Sequence, residues 1–206
     1  REGRLYPPDP TEWLASVGGS IATNASGSRS FRYGATRRYV RGLTVVFASG
    51  EVRRFERGEP IDFDVPAIPL PRTTKNTAGY LLSPGMDWVD LITGSEGTLA
   101  IVAEAELDLI AAPGELITGV VFFGGEADSL AAVDAWREVP GLRMIEYMDG
   151  ASLDLVRPRF DETPKAGAAI LYGQEAADDE IDTWVQRIAD AGADPDAAWL
   201  AASPRD

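Results

Sequence analysis

Ser16-Val-Gly-Gly-Ser-Ile-Ala-Thr-Asn-Ala-Ser-Gly27 packs three glycines around short hydroxyl and amide side chains. Glycine removes the Cβ atoms that hold a ligand away from the backbone, and Ser, Thr and Asn add neutral hydrogen-bonding groups. Two readings fit this composition: a Gly/Ser-rich surface loop, or a wall that wraps a phosphate-bearing cofactor without using a charge. A short helix is expected from near Gly19 toward Asn24, its free N–H groups favouring an anion such as a pyrophosphate.

Upstream, Tyr6-Pro-Pro-Asp-Pro10 is forced into an extended path by its prolines. Thr11 then offers an N-cap for a short turn of helix over Glu12-Trp-Leu-Ala15. Downstream, Arg29 to Arg41 holds five arginines among Phe31, Tyr33 and Tyr39, the pattern of a solvated face. Leu43 to Ala48 is apolar and β-branched. With Ser49-Gly50 and Glu51-Val-Arg-Arg-Phe55 it predicts a hairpin. The proline-rich stretch from Gly58 to Pro71, with Asp62 and Asp64, reads as an irregular insertion. Thr74-Lys-Asn-Thr-Ala-Gly-Tyr80 repeats the small, polar character of residues 16–27. Gly94-Ser-Glu-Gly-Thr-Leu-Ala-Ile-Val102 predicts a turn entering a strand that runs to Ile110. The edge groups of Leu99 to Val102 could then read a flat heterocycle.

Beyond Pro113-Gly114 the character changes. Residues 1–112 hold 14 acids and 12 bases, whereas residues 113–206 hold 19 and 7, which marks a domain boundary. Strands are expected at Leu116–Phe123, Leu142–Met148 and Ala168–Tyr172. Helices are expected at Glu126–Glu138, with Leu130, Val133 and alanines packed, at Ala151–Val156, and at Asp178–Ala191, with Ile181, Trp184, Val185 and Ile188 on one face. This order suits a ferredoxin-like α+β layer. The acids Glu175, Asp178, Asp179, Glu180 and Asp182 complement the dipole of the last helix rather than forming a metal site. No distinct terminal element follows it.

The chain of 206 residues has no cysteine and no histidine. Disulfides, thiolate nucleophiles, His-bound zinc and Ser-His-Asp catalysis are therefore excluded within it, leaving Asp, Glu, Lys or Tyr for proton chemistry. A net charge of −14 argues against nucleic acid or an anionic membrane surface as a partner. No segment approaches the ~20 apolar residues of a membrane span, and no signal peptide or Walker-type Gly-Lys-Ser/Thr is present. No Gly-x-Gly-x-x-Gly follows a strand, so a nicotinamide-type Rossmann fold is not expected. The chain opens on Arg1, as a processed protein or a piece of a longer one would. Abundant alanine, with arginine far above lysine, suits a GC-rich bacterial source.

Taken in order, Tyr6–Pro10, Ser16–Gly27, Arg32-Tyr-Gly34, Gly42-Leu43 with Ser49-Gly50-Glu51, Lys75-Asn76 with Gly79-Tyr80, and Gly94–Ile101 carry a resemblance. They resemble the FAD-linked oxidases and dehydrogenases of the vanillyl-alcohol oxidase, PCMH-type superfamily. Within it the likeness is to the branch of glycolate oxidase subunit, D-lactate dehydrogenase and D-2-hydroxyglutarate dehydrogenase. Residues 113–206 are similar more loosely, through Ile145-Glu-Tyr-Met-Asp149 and Ala169-Ile-Leu-Tyr172.

The resemblance implies an α+β chain. Residues 1–112 would be the C-terminal part, the second subdomain, of a PCMH-type FAD-binding domain. Residues 113–206 would begin a ferredoxin-like substrate or cap domain. It implies FAD, held non-covalently, as cofactor. The matching positions put Gly18, Gly19, Thr23, Asn24, Ser26 and Gly27 along the flavin and its pyrophosphate. Pro8 and Asp9 fall in the loop leading into that site, and Glu96, Gly97 and Ile101 in the segment reaching the ribose and adenine. Arg32 and Tyr33 are either a substrate carboxylate anchor or a structural pair. Lys75 is either a charge near the flavin or a solvated side chain.

The implied chemistry is hydride transfer from the α-carbon of a 2-hydroxy acid, D-lactate or glycolate type, to flavin N5. The alternative is a non-catalytic FAD-binding subunit of a larger oxidase complex. A third reading, unrelated to the resemblance, is an α+β binding module with Gly/Ser loops. A partner subunit or a homodimer, and a cytoplasmic location with any inner-membrane attachment supplied by a partner, are further expectations. Two departures stand out. The family's first FAD subdomain would precede residue 1, and its histidine-bearing substrate segment would follow residue 206. Ala100 also stands where the family has glycine.

Overall fold

A computed structural model describes residues 3–71, 73, 75–175 and 180–202. Two compact units are present, Arg1–Ala112 and Pro113–Asp206.

In the first unit the elements are β1 (Arg4–Leu5), α1 (Val17–Ala22), α2 (Ser30–Tyr33), a 3-10 turn (Thr36–Tyr39), β2 (Val40–Phe47), β3 (Val52–Glu56), α3 (Trp88–Ile92), β4 (Ala100–Leu107) and β5 (Ile110–Ala111). Strands order as β3-β2-β4, all antiparallel, and β1 pairs with β5. The expected hairpin is there. Gly50 turns it at φ +85, donating to the Phe47 carbonyl, and Phe47 N–H donates to the Glu51 carbonyl. Its inner face buries Leu43, Val45 and Phe55 against Trp88, Val89 and Ile92 of α3. Phe55 and Trp88 stack with ring centroids 4.6 Å apart. Each large side chain so buried contributes about 1.5–3 kcal/mol.

Three local expectations change. The turn at Glu12–Ala15 does not become a helix. Leu14 N–H is taken by the Glu12 carboxylate and Ala15 N–H by the Glu12 carbonyl, which closes one turn and leaves no ladder to extend. The strand expected to reach Ile110 stops at Leu107, because Asp108 N–H turns to the Tyr39 carbonyl and its carboxylate pairs with Arg41. The helix α3 was not expected at all. Its five residues are too few to show a period, although Asp87 caps it by accepting from Asp90 N–H at 2.7 Å. The segment 58–71 carries no regular element, as expected.

The second unit holds β6 (Leu116–Phe123), α4 (Glu126–Trp136), β7 (Leu142–Asp149), α5 (Gly150–Val156), β8 (Ala168–Glu175), α6 (Glu180–Asp190), a 3-10 turn (Pro195–Ala197) and β9 (Trp199–Ala202). The antiparallel sheet runs β7-β8-β6-β9. Two β-α-β halves interleaved in that order are the ferredoxin-like arrangement. The fourth strand, β9, went unread in the sequence because Trp199-Leu-Ala-Ala202 is short and follows Asp and Pro.

Tyr172 stacks on Trp184 at 3.7 Å, and Trp136 meets Trp184 edge-on at 5.3 Å. Gly119 has to be glycine, since a Cβ there would lie 2.5 Å from the Tyr172 ring. Two packing expectations fail. The buried stripe of α4 is Ser129, Ala132 and Trp136, so Leu130, one position round the helix, is exposed. Likewise Val185 is exposed beside buried Trp184. Glu180 and Asp182 occupy the first turn of α6, while Asp178 and Asp179, like Thr74, lie outside the described residues. No helix among the described residues is long and apolar enough to cross a membrane.

Candidate functional site

Helix α1 starts at Val17, two residues earlier than expected, because Ser16 is its cap. The Ser16 hydroxyl accepts from Gly19 N–H at 2.9 Å and its carbonyl from Ser20 N–H at 2.9 Å. Thr23 ends the helix, with its amide and its hydroxyl both on the Gly19 carbonyl at 3.0 Å. Asn24 then adopts φ +46, a conformation that Asn tolerates better than most residues. It is buried, and its side-chain oxygen accepts from Arg37 N–H at 2.9 Å.

The carbonyls at the C-terminal end of α1 are satisfied from 70 residues away. Gly94 N–H donates to the Ile21 carbonyl at 3.0 Å and Glu96 N–H to the Ala22 carbonyl at 2.8 Å. Gly94, at φ +87, sits where a Cβ would press on Asn24 and Arg37. Glu96 at φ +53 and Gly97 at φ +73 form the exposed tip of this loop, and nothing lies within 4 Å of a Cβ built on Gly97. Thr98 anchors the loop by donating to the Ser95 carbonyl, and the Tyr80 hydroxyl meets the Thr98 hydroxyl at 2.5 Å.

The Tyr6–Pro10 stretch arrives by a different contact. A Cβ on Gly27 would stand 1.5 Å from the Asp9 carbonyl oxygen, so glycine there lets the two backbones touch. Arg29 holds the Asp9 carboxylate at 3.1 Å. Four sequence stretches, residues 6–10, 16–27, 75–80 and 94–101, thus meet in the first unit.

The individual candidates fall as follows. Pro8, Asn24 and Gly27 are buried, Asp9, Gly18 and Ser26 half-buried, and Gly19, Thr23, Glu96, Gly97 and Ile101 exposed. The exposed group is what a ligand could touch, and Asn24 and Gly27 hold it in shape. Ile101 pairs with Val46 on the edge strand β4. Arg32 is exposed with its guanidinium 5.5 Å from the Tyr33 ring centroid. Tyr33 is buried, its carbonyl accepting from the Tyr39 hydroxyl. Lys75 is exposed.

Sequence reasoning missed the polar network beneath this surface, where Arg37 had been assigned to a solvated face. Its Nη2 donates to the Thr93 carbonyl and its Nε lies 3.7 Å from Asp90. Burial holds its pKa below the ordinary guanidinium value, against the pull of Asp90. Arg57 donates to both Asp87 oxygens, at 3.2 and 3.3 Å, to Asp90 at 2.6 Å, and to the carbonyls of Val40 and Arg37. The partners are 17 to 56 residues apart, so no local pattern could reveal them. Beside Arg37 opens a cavity of about 230 Å³, lined also by Leu70, Asn76, Thr77, Gly79 and Tyr80.

The surface suits a dinucleotide of FAD type. The first turn of α1 carries no acid to repel a phosphate, glycines at 18, 19 and 97 permit close approach, and the exposed Glu96 carboxylate can accept from ribose hydroxyls. Among the described residues no cluster of acids offers a metal site.

Comparison with known proteins agrees with this chemistry. Residues 1–56 match the model of an FAD binding domain. The chain is 39% identical over 133 residues to a D-lactate dehydrogenase of Anaerostipes hadrus, covering 65% of this chain and 24% of that protein. It is 28% identical over 193 residues to the glycolate oxidase subunit GlcD of Bacillus subtilis, covering 91% and 36%. A D-2-hydroxyglutarate dehydrogenase of Xanthomonas citri is 41% identical over 113 residues, 54% of this chain and 20% of that one. The chain therefore spans about a quarter to a third of the length of the first two of these relatives. In fold, a solved alkyldihydroxyacetonephosphate synthase superposes with a TM-score of 0.63 at 20% identity, covering 98% of this chain and 37% of that structure. The chain is thus similar to FAD-linked oxidases and dehydrogenases of the vanillyl-alcohol oxidase, PCMH-type superfamily, and the cofactor these matches support is FAD.

Proposed function

We propose that these residues supply one wall of the FAD pocket of an enzyme that oxidises a 2-hydroxy acid of D-lactate or glycolate type. The observation that carries this reading is the meeting of residues 6–10, 16–27, 75–80 and 94–101 in the first unit, with Gly19, Thr23, Glu96 and Gly97 left exposed. Residues 1–112 act as the later part of an FAD-binding domain. Residues 113–206 act as part of the substrate or cap domain, for which a ferredoxin-like sheet is a suitable frame. Bound FAD supplies the hydride acceptor, N5, for the α-carbon of the substrate.

The chain's own residues bind and orient. Gly18 and Gly19 admit the cofactor to the start of α1, and Thr23 and Ser26 offer hydroxyls along its path. Asn24 and Gly27 brace that path from below, with Pro8 and Asp9 packed behind Gly27. Gly97 and Ile101 flank the ribose and adenine portion, and Glu96 accepts from the ribose. Arg32, exposed and steadied by the Tyr33 ring, is the group proposed to hold a substrate carboxylate. The GlcD likeness supports association with a further subunit, and the reading carries a cytoplasmic location.

The test is anaerobic. The full-length protein, reconstituted with FAD, should show a flavin absorbance spectrum that bleaches on adding D-lactate, glycolate or D-2-hydroxyglutarate. Failure to retain any flavin removes the reading. Flavin that no 2-hydroxy acid reduces leaves cofactor binding and removes the substrate class.

A further inference from the structure

All four stretches of the candidate wall converge on two adjacent residues outside them, Thr36 and Arg37 of the 3-10 turn before β2. Thr36 takes the first two. Its N–H and its hydroxyl both donate to the Ala25 carbonyl, at 3.0 and 2.8 Å, and its hydroxyl oxygen accepts from the Tyr6 hydroxyl at 3.4 Å. Arg37 takes the others. Its N–H donates to the Asn24 side-chain oxygen at 2.9 Å, and its Nη2 donates to the Thr93 carbonyl at 2.5 Å. It also lines the cavity that it shares with Asn76, Thr77, Gly79 and Tyr80.

The grip on Thr93 falls one residue before the loop clamps α1. Gly94 N–H donates to the Ile21 carbonyl and Glu96 N–H to the Ala22 carbonyl. A Cβ on Gly94 would lie 3.1 Å from Arg37 Nη2 and 3.2 Å from the Asn24 Cβ, so the three residues are closely packed. Through its main chain Arg37 holds the end of α1. Through its side chain it holds the loop that carries Glu96 and Gly97.

Stability is a poor account of a guanidinium in this place. The side chain is only 19% exposed, and its buried Nε makes no hydrogen bond among the described residues, standing 3.7 Å from Asp90. Asp90 is already held by Arg57 at 2.6 Å. A cation desolvated with part of its donor set unused costs free energy that an apolar side chain of similar size would not. What the planar fork supplies, and an apolar chain does not, is a fixed distance to Thr93.

Resting on the FAD reading above, we propose that Arg37 is a positioning residue for the cofactor, setting the spacing between Thr23 at the end of α1 and Glu96 at the loop tip. In that reading the two stretches serve opposite ends of the ligand, the flavin and pyrophosphate for one and the ribose and adenine for the other. A ligand that spans both gains from having them held at the right separation, whereas a ligand that touches one does not. Arg37 thus acts on FAD without contact, by registering the two surfaces that receive it.

The experiment titrates full-length apo-protein calorimetrically with FAD, and with FMN and AMP, the two halves of FAD, in competition with it. The variants are R37M, R37K and F55L, the last a core substitution that lowers stability away from the wall. R37M should bind FAD about tenfold more weakly, with FMN and AMP each within about twofold of wild type. R37K keeps the charge beside Asp90 without the fork; it should show the same pattern, and it serves where R37M does not fold. F55L should lower the apo melting temperature and leave FAD affinity within about twofold. Unchanged FAD affinity in the Arg37 variants overturns the proposal. An equal loss for FAD, FMN and AMP does so too, as does an F55L protein that loses FAD to the same extent as R37M. Failure of both Arg37 variants to fold assigns the residue to folding and also overturns it. Where neither half competes measurably, the FAD affinity of R37K against that of F55L decides. Wild type that binds no FAD removes the underlying reading instead, and this proposal with it.

Discussion

Replacing Gly27 by alanine puts a methyl group where the Asp9 carbonyl already stands. The new Cβ would lie 1.5 Å from that oxygen, 2.6 Å from the Asp9 carbonyl carbon and 3.3 Å from the Pro10 Cα. To reach ordinary van der Waals separation the Asp9 backbone must withdraw by about 2 Å. It has little freedom to do so, between Pro8 and Pro10 and with its carboxylate tied to Arg29. Overpacking of this kind costs about 1–3 kcal/mol, and backbone against backbone belongs at the top of that range. About 3 kcal/mol corresponds to a fall of roughly 12 °C in the melting temperature of a unit this size. Gly97→Ala is the internal control. It meets nothing within 4 Å and costs about 1 kcal/mol, for its left-handed φ alone. Urea unfolding followed through the Phe55–Trp88 pair of the first unit measures both variants. A Gly27→Ala protein less perturbed than Gly97→Ala would refute the reasoning, because it would mean that residues 6–10 do not lie against residues 16–27.

Arg57→Met should destabilise the first unit by about 3 kcal/mol, since it leaves Asp87 without a guanidinium and Asp90 with only the more distant one of Arg37. Pairing it with D87N, whose amide still accepts from Gly58 N–H, should recover part of the loss in a double-mutant cycle. Tyr172→Phe should stabilise the second unit by about 1 kcal/mol, read as a higher urea midpoint. The buried Tyr172 hydroxyl has no hydrogen-bond partner among the described residues, and burial pushes its pKa up. Asp149 caps α5 by accepting from Ser152, which holds its pKa below the ordinary carboxylate value. A pKa depressed by folding gives stability that is present above about pH 4 and lost as pH falls through the folded value. D149A should therefore be less stable than wild type at pH 7, with the two converging near pH 2 in the same unfolding assay.

The second unit was largely legible. Alternating strands and amphipathic helices recur at lengths that period alone identifies, and Trp184 and Ile188 declared their buried face. What escaped was short or distant. The strand β9 has four residues and α3 five, below the length at which a period shows. Leu130 and Val185 were misread because hydrophobicity does not say which side of a helix meets the sheet. In the first unit the glycines of the candidate site were visible as a group, but their separate duties were not. Gly27 serves its own chain by admitting Asp9, whereas Gly97 leaves open surface. Arg37 looked like a solvated charge, and Arg57 went unread, because Asp87 and Asp90 are remote in sequence.

The clamp of Gly94 and Glu96 on the carbonyls of Ile21 and Ala22 has a bearing on when the wall comes into being. Six residues of helix, two of them glycine, do not hold together unaided. The surface at residues 16–27 therefore waits for a segment synthesised 70 residues later. On the ribosome this makes it one of the last parts of the first unit to take shape. A nascent chain ending short of Gly94 would carry every glycine of the opening motif and lack the bonds that close its helix.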